Sequence, residues 1–327
     1  MAGNNTQLAM EKESFCREQV ASKIGFKKVA TDLKNSAIHE PLNVLASRHF
    51  QVIYLDEVPK KQVLLVAHLL EDTHDKFYAT MRKAGFRLDP VQGSLNCVTF
   101  SSRSQFDRYA RKTEFRRLSW LDGYYSPRTN RVLLLLSSLT DWEKENRKDE
   151  GNVIPAYGVS YPSPHPEGSL ARIAHEAAHQ LAFNSGLQKR GVMYPFWVAE
   201  GLAASFETGS ETGPAQLHPV RSRHLLQAYN EGNVRPLEEF LLTVVPRCRS
   251  RKELNDLYAQ AWGVFHYLFT HHRAELRTYM ELLAEDGVGR RTRYHRLKLL
   301  QKALPPVNIL EAGWQGFLRD LQEKCPQ

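Results

Sequence analysis

No apolar run of about 18 residues or more occurs in the chain, so a helical membrane span is not expected. The first twenty residues mix Glu11, Lys12, Glu13 and Arg17 with scattered apolar positions and lack the continuous hydrophobic segment of a secretory signal. A cytoplasmic location is therefore the default expectation. Cysteine is scarce, with four in 327 residues. Cys16, Cys97, Cys248 and Cys325 form no Cys-x-x-Cys pair, which excludes a cysteine zinc knuckle and gives no sign of a disulfide framework. Internal repeats and low-complexity tracts are absent. Acidic residues are outnumbered, 36 against 44 Lys plus Arg, for a net charge of +8. The densest basic cluster, Arg290, Arg291, Arg293, Arg296, Lys298 and Lys302, reads more simply as a solvated helix face than as a nucleic-acid surface, so nucleic acid is not an expected partner.

What is present is an ordinary globular composition with room for one large or two modest domains. Residues 1–45 lack sustained periodicity and read as a partly ordered lead-in. Residues 46–140 read as a small mixed α/β subdomain. Phe50–Leu55 and Asn96–Ser101 are strand candidates, Lys60–Ala84 is a long amphipathic helix stopping at Gly85, and Gln105–Lys112 is a short helix. Gly123-Tyr124-Tyr125 and Arg131–Leu136 flank the turn formers Ser126 to Asn130, the pattern of a hairpin. Residues 141–168, with Pro155, Pro162, Pro164 and Pro166, read as a surface loop. From 169 to 327 nearly everything is compatible with helix, about Ser169 to Ser185, Phe196 to Thr208, Pro219 to Asn230, Leu237 to Thr243, Lys252 to Thr270 and two later segments. The expected class is α+β, a small mixed sheet with helices followed by a mainly helical part.

The candidate chemistry lies in His175-Glu176-Ala177-Ala178-His179. Helical spacing puts the two imidazoles one turn apart on one face, where both can ligate a single ion. Glu176, beside that face, can take a proton from a water activated by the metal, the position required of a general base. Ser169 is the candidate N-cap. Such a pentapeptide arises by chance in a few per cent of chains with this many histidines, so a third ligand is needed. Glu200, in Pro195-Phe196-Trp197-Val198-Ala199-Glu200-Gly201, fills that need. Glu207 follows two turns later and would orient a ligand imidazole; an exposed helix glutamate is the equally good alternative. Cys248 sits between Arg247 and Arg249, which could lower its thiol pKa, but no partner base accompanies it.

His175-Glu176-x-x-His179 followed by Trp197-x-x-Glu200-Gly201 resembles the gluzincin clan of zinc metallopeptidases, with its thermolysin and M1-type aminopeptidase members. The run from Phe50 to the Trp314 helix is similar to uncharacterised bacterial domains of unknown function in that clan. The resemblance implies a zincin-like fold, Zn2+ held by His175, His179 and Glu200, Glu176 as base, and a peptide or protein substrate. Leu257-Tyr258-Ala259-Gln260-Ala261-Trp262 resembles the helix whose tyrosine stabilises the oxyanion in the aminopeptidases, which implies that role for Tyr258. The Gly-x-Met-x-Asn segment of those enzymes is absent before His175, which removes the expectation of exopeptidase action. The hairpin at 123–136 could offer an edge strand for peptide docking. The alternative is a catalytically silent zincin-fold protein that binds a partner.

Overall fold

The computed structural model describes residues 23–114, 121–136, 166–207, 213–289 and 291–324. Five strands and eleven helices occur among them, a mixed α+β architecture. The chain divides into two compact units, residues 1–75, 89–146 and 158–184 in the first and 76–88, 147–157 and 185–327 in the second. The expected loop is outside the described residues from 141 to 165, as are Cys16, Arg290 and Cys325.

The first unit is built on one sheet. Helix α1 (Lys23–Asn35) precedes β1 (Leu42–Ala46) and β2 (Phe50–Leu55); α2 (Lys60–Lys83) leads to β3 (Leu95–Phe100), and α3 (Arg103–Glu114) comes before β4 (Gly123–Ser126) and β5 (Arg131–Leu135). The strand order is β1-β2-β3-β5-β4. β2 and β3 pair in parallel, as do β3 and β5, while β1 and β4 are antiparallel edges. Central parallel strands are covered on both faces. That explains why β5 reads Arg-Val-Leu-Leu-Leu with every residue buried. Its Arg131 is buried because Asp32 of α1 accepts from Nη1 at 2.6 Å. Hence the stretch read as a lead-in carries α1 and most of β1. The hairpin is present, and Asn130 closes it in the left-handed region at φ 56°, which asparagine tolerates better than most residues.

Helix α4 (Pro166–Asn184) packs along β4 and β5. It starts at Pro166, upstream of Ser169, and proline suits a first helical turn because its missing N–H would be unpaired there anyway.

The second unit, from residue 185 on, is helical, with α5 (Phe196–Ala204), α6 (Pro219–Asn230), α7 (Leu237–Leu242), α8 (Arg251–His271), α9 (Arg273–Glu285), α10 (Arg293–Ala303) and α11 (Val307–Lys324). α8 is its axis: fifteen of its residues, Leu254 and Asp256 through Phe269, are buried. α5 crosses it closely because Gly201 carries no side chain. A Cβ there would lie 2.3 Å from the Ala261 carbonyl oxygen and 2.7 Å from Phe265 Cβ. Trp197, Trp262, Trp314 and Tyr279 fill the core, with Trp197 and Tyr279 stacked at 5.8 Å. α10 buries only Leu300, consistent with a solvated basic face.

Candidate metal centre

Helix α4 is tied to the sheet by polar side chains at every fourth position. Arg172 Nη1 lies 3.6 Å from Asp122 Oδ2. Glu176 Oε2 accepts the Tyr125 backbone N–H at 2.6 Å. Gln180 Nε2 donates to the carbonyls of Asn96 and Asn130, and Asn184 Nδ2 donates to Asn130 Oδ1 at 2.8 Å. Positions four apart share a helix face, so this row fixes how α4 is rotated against the sheet. His175 and His179 occupy the neighbouring row, and both are buried. Their Nε2 atoms approach to 3.1 Å. Ala177 and Ala178 are fully buried between them.

Two ligands at about 2.0–2.1 Å from a tetrahedral ion sit roughly 3.3 Å apart. The 3.1 Å separation matches that to within a few tenths of an ångström, and two neutral imidazole lone pairs facing each other repel unless a proton or a cation lies between them. The donor set therefore fits a metal ion.

The edge strand β4 is not available for peptide docking as the hairpin pattern suggested. Its four residues are all buried. The Leu135 N–H pairs inward with the Asp122 carbonyl, so alternation turns the Tyr125 N–H outward, and Glu176 takes it. At Gly123 the Arg172 stem lies so close that an added Cβ would sit 2.5 Å from its Cδ. Helix α4 covers the edge, one of the ways native sheets protect such strands.

In the helical unit Glu200 is on α5 and buried, and Tyr258 on α8 is 4% exposed with the Phe196 ring against it edge-on at 5.3 Å. α5 ends at Ala204 rather than running to Thr208: past it the N–H groups of Phe206 and Glu207 reach the carbonyls three residues back, Ala203 and Ala204, a tightening common at helix ends. Glu207 thus lies beyond the helix and not on the face of Glu200. Arg221 donates to its carboxylate through Nε at 2.9 Å and Nη2 at 2.7 Å, and His218 Nε2 lies 3.1 Å away. The Arg221 guanidinium stands 5.4 Å from the centre of the Tyr258 ring. Burial alone would lower the Arg221 pKa, but the Glu207 charge outweighs it and holds the group above its ordinary value.

Sequence reasoning missed both Arg221 and His218. His218 is the N-cap of α6, its Nδ1 accepting from Val220 and Arg221. No spacing rule marks either residue. Cys248 departs from its expectation in the other direction: burial, and then the Glu253 charge, push its thiol pKa up rather than down.

Residues 169–287 match a family model described as a protein of unknown function, DUF1570. No curated protein matches the chain.

Proposed function

We propose that the chain is a zinc-dependent peptidase of zincin-like fold. The reading rests on one observation, the buried His175 and His179 pair whose Nε2 atoms converge to 3.1 Å beside a carboxylate held by a backbone amide. His175 and His179 would hold the ion together with Glu200, a buried carboxylate on a Trp-x-x-Glu-Gly helix. Zinc bound there would polarise a peptide carbonyl and bring the pKa of a water to about 7. Glu176 takes the proton from the attacking water and returns it to the leaving amine. The Tyr125 N–H aims its carboxylate, so the base needs no reorganisation when substrate arrives. Tyr258 donates a hydrogen bond to the developing oxyanion, and Arg221, held by Glu207, adds positive charge beside its ring. Glu207 would thereby act through Arg221.

The test pairs metal content with turnover. Desalted wild-type protein carries about one tightly held zinc attributable to this centre, and Glu200→Ala loses it. Glu176→Gln keeps the zinc and fails to cleave a peptide library that wild type cleaves. Zinc retained at full occupancy in Glu200→Ala, or full activity in Glu176→Gln, overturns the reading.

A further inference from the structure

A second set of donors lies in the sheet unit, where the turn between β1 and β2 meets α2. Glu71 and His74 are three apart on α2 and so share a face, and His49 comes from the turn. The Glu71 side chain is 2% exposed. Its Oε1 accepts the Ser47 hydroxyl and the His49 backbone N–H, each at 2.6 Å. That leaves Oε2 pointing at His49 Nδ1, 2.7 Å away. The His74 ring lies on the His49 ring with centroids 3.6 Å apart and planes 17° from parallel. One nitrogen of each ring and one Glu71 oxygen all lie within 4.8 Å of one another.

Satisfying the turn explains the Ser47 and main-chain contacts of Glu71. It does not explain two imidazoles brought face to face beside the same carboxylate. Stacked imidazoles repel once both are protonated. His74 Nδ1 lies 3.0 Å from Asp75 Oδ1, the outer carboxylate contact that orients a ligating imidazole. Two imidazoles and a carboxylate are a donor set suited to zinc and other imidazole-preferring ions, and unsuited to calcium or magnesium. Ser47 and the turn amide supply the outer hydrogen bonds that orient a ligating carboxylate. His49 and His74 keep 24% and 12% of their side chains exposed, which gives an ion a route in.

We propose that His49, Glu71 and His74 form a second transition-metal site, distinct from the α4 histidines, that clamps the β1–β2 turn onto α2. A divalent ion takes the place of the proton between His49 Nδ1 and Glu71 Oε2, and the neutral His49 ring then carries its proton on Nε2. The pair opens from 2.7 Å to about 3.3 Å, and the His74 ring tilts out of its stack to reach the same ion.

The full chain, stripped by chelator and titrated with Zn2+, and in parallel with Co2+ read by its visible absorption, tests this. Wild type takes up about two ions per chain, while His74→Ala and His175→Ala each take up about one. Ser47→Ala weakens the second ion's affinity roughly tenfold. Uptake in a folded His74→Ala protein equal to that of wild type overturns the site. If His74→Ala fails to fold, His49→Gln gives the same reading. Loss of an ion in His74→Ala but none in His175→Ala would uphold this site and sink the peptidase reading; the reverse would do the opposite. Mg2+ binding as tightly as Zn2+ would also overturn the assignment.

Discussion

Glu71 and Glu176 of the sheet unit and Glu207 of the helical unit are buried carboxylates satisfied by different means. In the sheet unit backbone amides take part: Glu71 accepts the His49 N–H and Glu176 the Tyr125 N–H. In the helical unit Glu207 is held by side chains, Arg221 and His218. The difference follows from backbone geometry. Turns and edge strands leave N–H groups that need partners, whereas the interior of a helix spends each N–H on its own carbonyl four residues back. Glu207 is met by a cation instead, and that cation then depends on the carboxylate. A sheet scaffold can hold a carboxylate without adding charge, which leaves it available as a base or a ligand.

The largest effect expected from this contrast is on rate. A glutamine side chain in place of the Glu176 carboxylate can still accept the Tyr125 N–H, so Glu176→Gln should fold as wild type while peptide cleavage falls roughly 100- to 10,000-fold, the range typical of losing a general base. Matched unfolding and rate measurements decide it: a large stability loss would mean the carboxylate charge itself holds α4 to β4.

Next comes a pair of equal substitutions, one per unit. Glu207→Gln leaves the buried Arg221 cation without its counter-charge and should cost about 3–5 kcal/mol. Glu71→Gln keeps an oxygen for Ser47 and His49 N–H and loses chiefly the contact with the imidazole, a cost of roughly 1–2 kcal/mol in the absence of metal. Denaturant midpoints of the two proteins compare them directly. Equal costs would break the distinction between the units.

Much of the fold was legible because its signals are local. The hydrophobic runs of β2, β3 and β5, the hairpin turn formers and the apolar spacing of α2, α6 and α8 all depend on neighbours in sequence. α1 escaped because it is anchored by Arg131 reaching Asp32, a contact far apart in the chain, and β1 because only its pairing with β2 makes Leu42–Ala46 a strand. The histidine pair was visible as a spacing. The row Arg172, Glu176, Gln180 and Asn184 that rotates α4 was equally periodic, yet polar residues at helical spacing read as a solvated face until a sheet is known to cover them. Arg221 is the deeper miss, since only tertiary packing turns a basic helix residue into a buried partner. The helix end at Ala204 was lost because the chain tightens there to bonds three residues back, a change that apolar periodicity does not register.

The helical unit's buried imidazole sharpens the contrast through pH. His266 Nδ1 meets the Pro214 carbonyl at 2.8 Å, and burial pushes its pKa from 6.5 down to about 4. The unfolded chain takes up a proton below pH 6.5 that the folded chain refuses. The stabilisation is therefore complete above about 6.5 and is lost as pH falls toward 4, about 3 kcal/mol over the window. Urea unfolding of wild type and His266→Gln at about pH 7 and about pH 4.5 measures it. The variant should lose less stability between the two, and parallel curves would show that the imidazole is charged in the folded state.

Two glycines separate the units once more. A Cβ at Gly201 meets backbone, the Ala261 carbonyl oxygen at 2.3 Å, whereas one at Gly123 meets side chain, Arg172 Cδ at 2.5 Å and Cγ at 2.9 Å. Neither glycine has a positive φ, so the added methyl group acts by volume alone. Helices α5 and α8 cannot separate without disturbing the core around Trp197, so Gly201→Ala should cost about 3 kcal/mol, the upper part of the overpacking range. Arg172 can change rotamer, so Gly123→Ala should cost about 1 kcal/mol. That rotation also moves the guanidinium away from Asp122 and loosens the first turn of the row that holds α4. Hydrogen exchange at the Tyr125 amide should then quicken in Gly123→Ala and stay unchanged in Gly201→Ala. If the Tyr125 amide exchanged alike in both, the helix would be held by Glu176, Gln180 and Asn184 without help from Arg172.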